Sequence, residues 1–124
     1  MIHLDTNFLI GAATRESPLG VILQGWLLGG ESLAVSSIAW TEFLNGPVDH
    51  QQIRSVRYLL EDRIVPFGAR EAEKASELFN RAGRKRGSML DGMIAATAIC
   101  AHAGLATQNR KDFAPFVSIG LRLA

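Results

Sequence analysis

Short, unbroken apolar runs alternate along this chain with longer stretches in which apolar residues recur every three or four positions. The first run, Met1-Ile2-His3-Leu4, stops abruptly on Asp5-Thr6-Asn7 and predicts a central buried strand. A short helix is expected to begin at Asn7, with Phe8-Leu9-Ile10 and Ala12-Ala13, and Arg15-Glu16-Ser17 is a loop. Ser17 and Pro18 have the form of an N-cap and a first helical residue, and Leu19, Ile22, Leu23, Trp26 and Leu27 keep helical spacing until Gly29-Gly30. That helix is expected to lie flat on a sheet. Leu33–Ser36 is a second buried strand, and Ser37 is read as the cap of a helix running through Ile38, Trp40, Phe43 and Leu44 to Gly46-Pro47. Asp49 opens an amphipathic helix with Ile53, Val56, Leu59 and Leu60 on one face.

Ile64–Phe67 is the third strand candidate, weakened by Pro66, which has no N–H for a ladder. The next helix is predicted from about Ala69 to Arg84, with Ala72, Ala75, Leu78, Phe79 and Ala82 inward. From Ser88 to Ala103 the pattern changes, because the sequence is apolar or small almost all round, as in a buried helix. Leu105–Thr107 is a fourth strand leading into Gln108–Phe113, and Val117–Leu123 is expected to supply a last strand. Strands separated by helices predict an α/β layer fold with a mostly parallel sheet. The chain is read as a single domain, residues 1–124.

Composition narrows the picture without pointing to a partner. With 13 basic and 12 acidic residues the formal charge is +1, so any nucleic-acid binding must come from local clusters such as Arg84-Lys85-Arg86 and Arg110-Lys111. A solvated face is the other reading of those clusters. The single cysteine, Cys100, excludes an internal disulfide and is expected to pack in the core. No basic leader precedes a long apolar segment, and the apolar runs are too short to span a membrane, which reads as a soluble, cytoplasmic protein.

Four acids carry the candidate chemistry, and each has a structural reading beside the functional one. Asp5, straight after an apolar strand, is either the cap of the following helix or a site residue. Ser88-x-x-Asp91 has capping-box spacing, yet Asp91 shares a stripe with Ile94, Ala95, Ala98 and His102 in a helix with little surface. Glu42 lies one turn inside its helix among Trp40, Phe43 and Leu44. Asp112 follows a possible N-cap, Asn109, by three residues. Gathered together, carboxylates repel by ~4 kcal/mol per pair at ~4 Å and an effective dielectric of ~20. A hard divalent cation relieves that conflict, and oxygen donors select Mg²⁺ or Mn²⁺ over zinc. His3, His50 and His102 are scattered and read as structural or exposed.

Leu4-Asp5-Thr6-Asn7, Ser37 leading to Glu42 and Asn45-Gly46, Asp91 to Ala98, and Thr107-x-Asn109-x-x-Asp112-Phe113 together resemble the PIN-domain nucleases, and among them the VapC-type toxins of toxin–antitoxin pairs. The resemblance covers nearly the whole chain. It implies a three-layer sandwich whose mostly parallel, five-stranded sheet has helices on both faces, and an acidic pocket in which Mg²⁺ or Mn²⁺ supports hydrolysis of RNA phosphodiester bonds. Asp5, Glu42 and Asp91 match the family's firmest acidic positions and Asp112 the more variable fourth, with Thr107 and Asn109 as supports. Gly92 stands where the family usually has alanine.

Thr6 and Asn7 amides are further candidates, facing a phosphate at a helix start. The implied partners are RNA, a small antitoxin and a second copy of the chain. A housekeeping RNA-processing nuclease, or a PIN-like module that binds RNA or protein without cutting, are the alternatives. Two other chemistries that place an aspartate after a first strand fail on residues present: a dehalogenase-like phosphatase needs an acid at Asn7, and a response-regulator receiver needs one after the third strand, where Phe67-Gly68 stands.

Overall fold

Four short strands occupy the middle of the protein in a computed structural model describing residues 1–124: β1 (Ile2–Leu4), β2 (Leu33–Ser36), β3 (Ile64–Val65) and β4 (Gly104–Ala106). All pair in parallel, in the order β3-β2-β1-β4. Every residue of β1 and β2 is buried, as unbroken apolar runs in a covered parallel sheet require.

Parallel neighbours need long crossovers, and helices supply them. Between β1 and β2 run α1 (Thr6–Ala13) and α2 (Pro18–Leu28), between β2 and β3 run α3 (Ser37–Leu44) and α4 (His50–Leu60), and between β3 and β4 run α5 (Ala69–Arg81) and α6 (Met89–Cys100); α7 (Arg110–Val117) follows β4. Helices α4 and α6 both pack on β2 but not appreciably on each other, as layers on opposite faces do. The chain steps outward from β1 to β2 to β3 and then returns to pair β4 with the other side of β1. The order therefore reverses between β1 and β4, the place where α/β sheets open a crevice at their carboxyl edge.

Several local expectations are corrected. The fifth strand over Val117–Leu123 is reduced to a single parallel bridge between Leu105 and Leu123. Helix α7, anchored by the buried Phe113 and Phe116, takes in only Val117 of this segment, and the chain then turns through Gly120 at φ +118°. Only two hydrogen bonds, Leu105 N–H to Arg122 O and Ala124 N–H to Leu105 O, both 2.8 Å, extend the sheet. Helix α2 packs on α1 rather than flat on the sheet, with Phe8 and Trp26 stacked at 5.8 Å. The approach is close because Gly11 has no side chain: a Cβ there would fall 2.7 Å from Leu19 Cβ.

Ser17 caps α2 as expected, and Asp49 caps α4 in a reciprocal box with Gln52. The cap of α3 is Ser36, whose Oγ accepts from Ala39 N–H at 3.0 Å. Ser37, expected in that role, instead accepts from Phe67 N–H at 3.2 Å and ties α3 to the end of β3. Helix α5 ends at Arg81 because Gly83 and Arg84 both take positive φ. Ala72 is exposed rather than inward, and Cys100 is half-buried rather than in the core. In α6, Ala95, Ala96 and Ala98 are buried, and their small size lets α5 and α7 pack close to it.

His3 is the one buried residue whose side chain lacks every partner. It is 1% exposed, and neither ring nitrogen has a hydrogen bond. Burial, and secondarily the positive N-terminus, hold its pKa down at about 4 against an ordinary 6.5. The unfolded chain therefore takes the proton first, and the stability due to neutral His3 is whole above pH 6.5 and lost as pH falls toward 4. The full loss is about 3 kcal/mol. Denaturant unfolding of wild type and His3→Leu should show their stability difference shifting in favour of His3→Leu between pH 7 and pH 4.5; parallel pH curves would contradict the assignment.

Candidate functional site

The reversal point between β1 and β4 brings Asp5 and Thr107 side by side. Asp5 N–H donates to Ala106 O at 2.9 Å, which extends the β1–β4 ladder to the acid itself. Its carboxylate is 5% exposed and serves two ends at once. Oδ1 caps α1 by accepting from Thr6 N–H at 2.8 Å, and Oδ2 accepts from the buried Thr107 hydroxyl at 2.7 Å. The cap reading of Asp5 is the observed geometry, and a carboxylate oxygen that caps a helix keeps a lone pair free.

A polar frame surrounds this pair. Thr107 Oγ1 also accepts from Asn109 N–H at 2.9 Å, which holds the turn into α7. Asn7 bridges Asp5 Oδ2, 3.5 Å from its Nδ2, and Gln108 N–H, 3.2 Å from its Oδ1. The Thr6 hydroxyl donates to Glu42 Oε1 at 3.0 Å and so links α1 to an exposed acid on α3. The Thr6 amide, expected to be free for a phosphate, is committed to Asp5.

Asp91 shows most clearly that the four acids converge. The capping box that its spacing suggests is not formed: Ser88 makes no cap bond and its hydroxyl donates to Lys85 O at 2.7 Å instead. Asp91 is half-buried, and its pKa is pushed up to about 6, first by burial and then by the charges of Asp5, Asp112 and Glu42, with Lys85 opposing. A carboxylate feels three others in this way only when all share one neighbourhood. Asp112 lies exposed in the first turn of α7. Asn109 occupies the N-cap position of that helix without a side-chain cap bond.

The donor set suits a hard divalent cation, since every candidate ligand is a carboxylate or neutral oxygen and the histidines are elsewhere. His50 and His102 are exposed, and His3 is enclosed in the sheet. As the side chains stand, no three of them form a closed cage, which is the spread that like charges adopt.

The basic residues divide. Lys85 is near enough to act on Asp91, Arg84 lies over the Phe79 ring with 5.1 Å to the centroid, and Arg86 and Lys111 are exposed. None of these four enters an ion pair. Arg110 is directed away, donating to Ala124 O at 2.9 Å. What sequence reasoning missed is the Thr6–Glu42 contact, which joins residues 36 apart and leaves no local signature.

The PIN domain family model matches residues 2–115. Ribonuclease VapC1 of Methanocaldococcus jannaschii is 32% identical over 108 residues, covering 77% of this chain and 71% of that protein. A toxin-antitoxin complex from Klebsiella pneumoniae contains a chain 29% identical, with a TM-score of 0.73 over 92% of this chain and 91% of that one. VapBC2 from Rickettsia felis, bound to a DNA fragment from its promoter, contains a chain 25% identical, with a TM-score of 0.74 over 100% of this chain and 98% of that one.

The raised pKa of Asp91 has a sign that can be measured. The folded state holds this proton more tightly than the unfolded chain, so charged Asp91 opposes folding above pH 6 and the penalty disappears as pH falls toward 4. In chelator, Asp91→Asn should unfold later than wild type at pH 8, by about 1 kcal/mol after allowing for solvent screening. The two should converge near pH 4.5. A variant less stable at pH 8 would show that Asp91 is held by favourable contacts rather than crowded by like charge.

Proposed function

The chain belongs to the PIN-domain family, and we propose that it is a divalent-metal-dependent RNA endonuclease, the toxin of a toxin–antitoxin pair, acting in the cytoplasm. The observation that carries this reading is the convergence of Asp5, Glu42 and Asp112 on Asp91 at the reversal point of the sheet. Asp5, Glu42 and Asp91 are assigned as the principal ligands of Mg²⁺ or Mn²⁺, with Asp112 as the fourth acid. Bound there, the cation supplies Lewis-acid activation of water and neutralisation of phosphoryl charge.

The protein's own contribution is positioning. Thr107 and the Thr6 amide fix Asp5, and the Thr6 hydroxyl fixes one oxygen of Glu42. In this reading Asp112, exposed in the first turn of α7, orients the attacking water and accepts its proton as the new phosphorus–oxygen bond forms. The proton then passes to the departing ribose oxygen as the old bond breaks. Lys85, which acts on Asp91, and its exposed chain neighbour Arg86, neither in an ion pair, are the first candidates to hold the RNA backbone.

A toxin of this kind also needs surface for its antitoxin and for a second copy. Apolar side chains are available on α1 and α2, where Ile10, Val21 and Leu28 are 50%, 71% and 83% exposed. No helix of the protein is long and apolar enough to cross a membrane.

Cleavage of single-stranded RNA by the purified protein should require Mn²⁺ or Mg²⁺ and stop in EDTA. Asp5→Asn should lower the rate at least ~100-fold, and Thr107→Val, which only unfixes Asp5, by ~10–100-fold. Cutting that persists in EDTA, or in Asp5→Asn with its fold intact, would end this reading. Expression of the chain alone should arrest growth, with relief by the protein encoded beside it; harmless overexpression of active enzyme would instead favour a housekeeping nuclease.

A further inference from the structure

Across α6 from Asp91 lies a groove of about 290 Å³ between α5 and α6. Phe67, immediately beyond β3, closes one end; Ser76 and Phe79 come from α5, and Met89 and Met93 from α6. Met89 and Met93, four apart, share one stripe of α6, and Asp91 midway between them projects from the opposite face, so the helix that carries the acid forms the groove wall with its other side. Phe79 is half-buried but is not among the side chains packed on the core. It is covered instead by Arg84, which also donates to Asn80 Oδ1.

Arg84 reaches that position from a turn that is costly for a residue with a side chain: its φ is +56°, directly after Gly83 at +92°. The same turn carries Lys85 toward Asp91. One loop therefore places an unpaired cation over an aromatic ring at the groove and another beside the acids. The volume is close to the lower limit of small-molecule pockets, ~300 Å³, which suits one ring system better than a folded segment. Neutral apolar walls next to cations without ion pairs complement a ligand that is flat and apolar in one part and anionic in the next. A nucleotide has that composition, and unpaired bases stack on aromatic rings and guanidinium planes.

We propose that this α5–α6 groove is a base-binding subsite, in which one unpaired base of single-stranded RNA stacks on the Phe79–Arg84 pair while the adjoining phosphates meet Lys85 and Arg86. The proposal rests on the ribonuclease reading and adds to it a residue set for choosing where along the RNA the acids act. The groove would fix register, because one base held there sets which phosphate reaches Asp91.

The test measures binding and cutting separately. Affinity for a short single-stranded oligoribonucleotide is followed by fluorescence anisotropy in EDTA, with intact RNA and with RNAs carrying an abasic residue at each position in turn. Two groove variants are compared with wild type: Phe79→Leu removes the ring, and Ser76→Trp fills the groove from an exposed position. Both should bind intact RNA about tenfold more weakly with an unchanged salt slope, whereas Arg84→Gln should also flatten the slope. One abasic position should weaken wild type equally and cost Ser76→Trp nothing further.

Folded variants with wild-type affinity would overturn the subsite. So would variants that change the sedimentation of the protein but not its RNA affinity, since a second copy would then be the occupant. Base-dependent binding without any Mn²⁺-dependent cleavage would remove the nuclease reading and leave the groove assignment standing. Normal cleavage at unchanged sites in both variants would do the reverse.

Discussion

The 2.7 Å hydrogen bond from the Thr107 hydroxyl to Asp5 joins the ends of two strands that are 102 residues apart in the chain. It forms because β4 pairs with β1 on the side that β2 leaves open, with Leu4 opposite Ala106. Everything at the site depends on that register. A slip of one residue would turn Asp5 and Thr107 to opposite faces of the sheet, and with them the turn into α7 that carries Asp112. The buried apolar residues on both sides, among them Leu4 and Leu105 at 0% exposure, make such a slip costly, so a hydrophobic core specifies the position of a charged group.

That core stabilises a site that works against it. Burial, and after it the charges of three acids, raise the pKa of Asp91 to about 6, so its charged form opposes folding. The polar frame answers by dividing the burden. Asp5, the most buried acid, holds the most hydrogen bonds, while Asp112 and Glu42 remain in contact with water. His3 adds a second cost inside the same strand, two residues from Asp5, with both ring nitrogens unpartnered. Acid that relieves Asp91 unbalances the histidine.

How far the sequence could be read depended on whether the deciding contact was local. Ser17-Pro18 and Asp49-x-x-Gln52 announced their helices because a cap binds backbone within one turn. Ser88-x-x-Asp91 had the same form and misled, since Ser88 turned back to Lys85 and formed no cap. Ser37 stands where the helical pattern predicts a cap, but the cap is Ser36, and the end of β3 claims Ser37 for Phe67. The last strand shrank to one bridge, Leu105 with Leu123, because α7 runs to Val117 and the turn through Gly120 leaves only the chain end beside β4.

By itself, the sequence determined the alternation of strands and helices, the parallel sheet, and the identity of the four acids as the residues to watch, because hydrophobic periodicity and residue chemistry are properties of the chain at short range. Only the tertiary structure decided that Asp5 caps α1 while bonded to Thr107, that Thr6 holds Glu42, that Arg110 turns toward the chain end, and that Asp91 feels the charges of the other three acids and of Lys85. Those outcomes follow from the order β3-β2-β1-β4. Which strand becomes the neighbour of β1 is chosen by burial summed over the whole chain, and the segment Met1–Asn7 carries no local record of it.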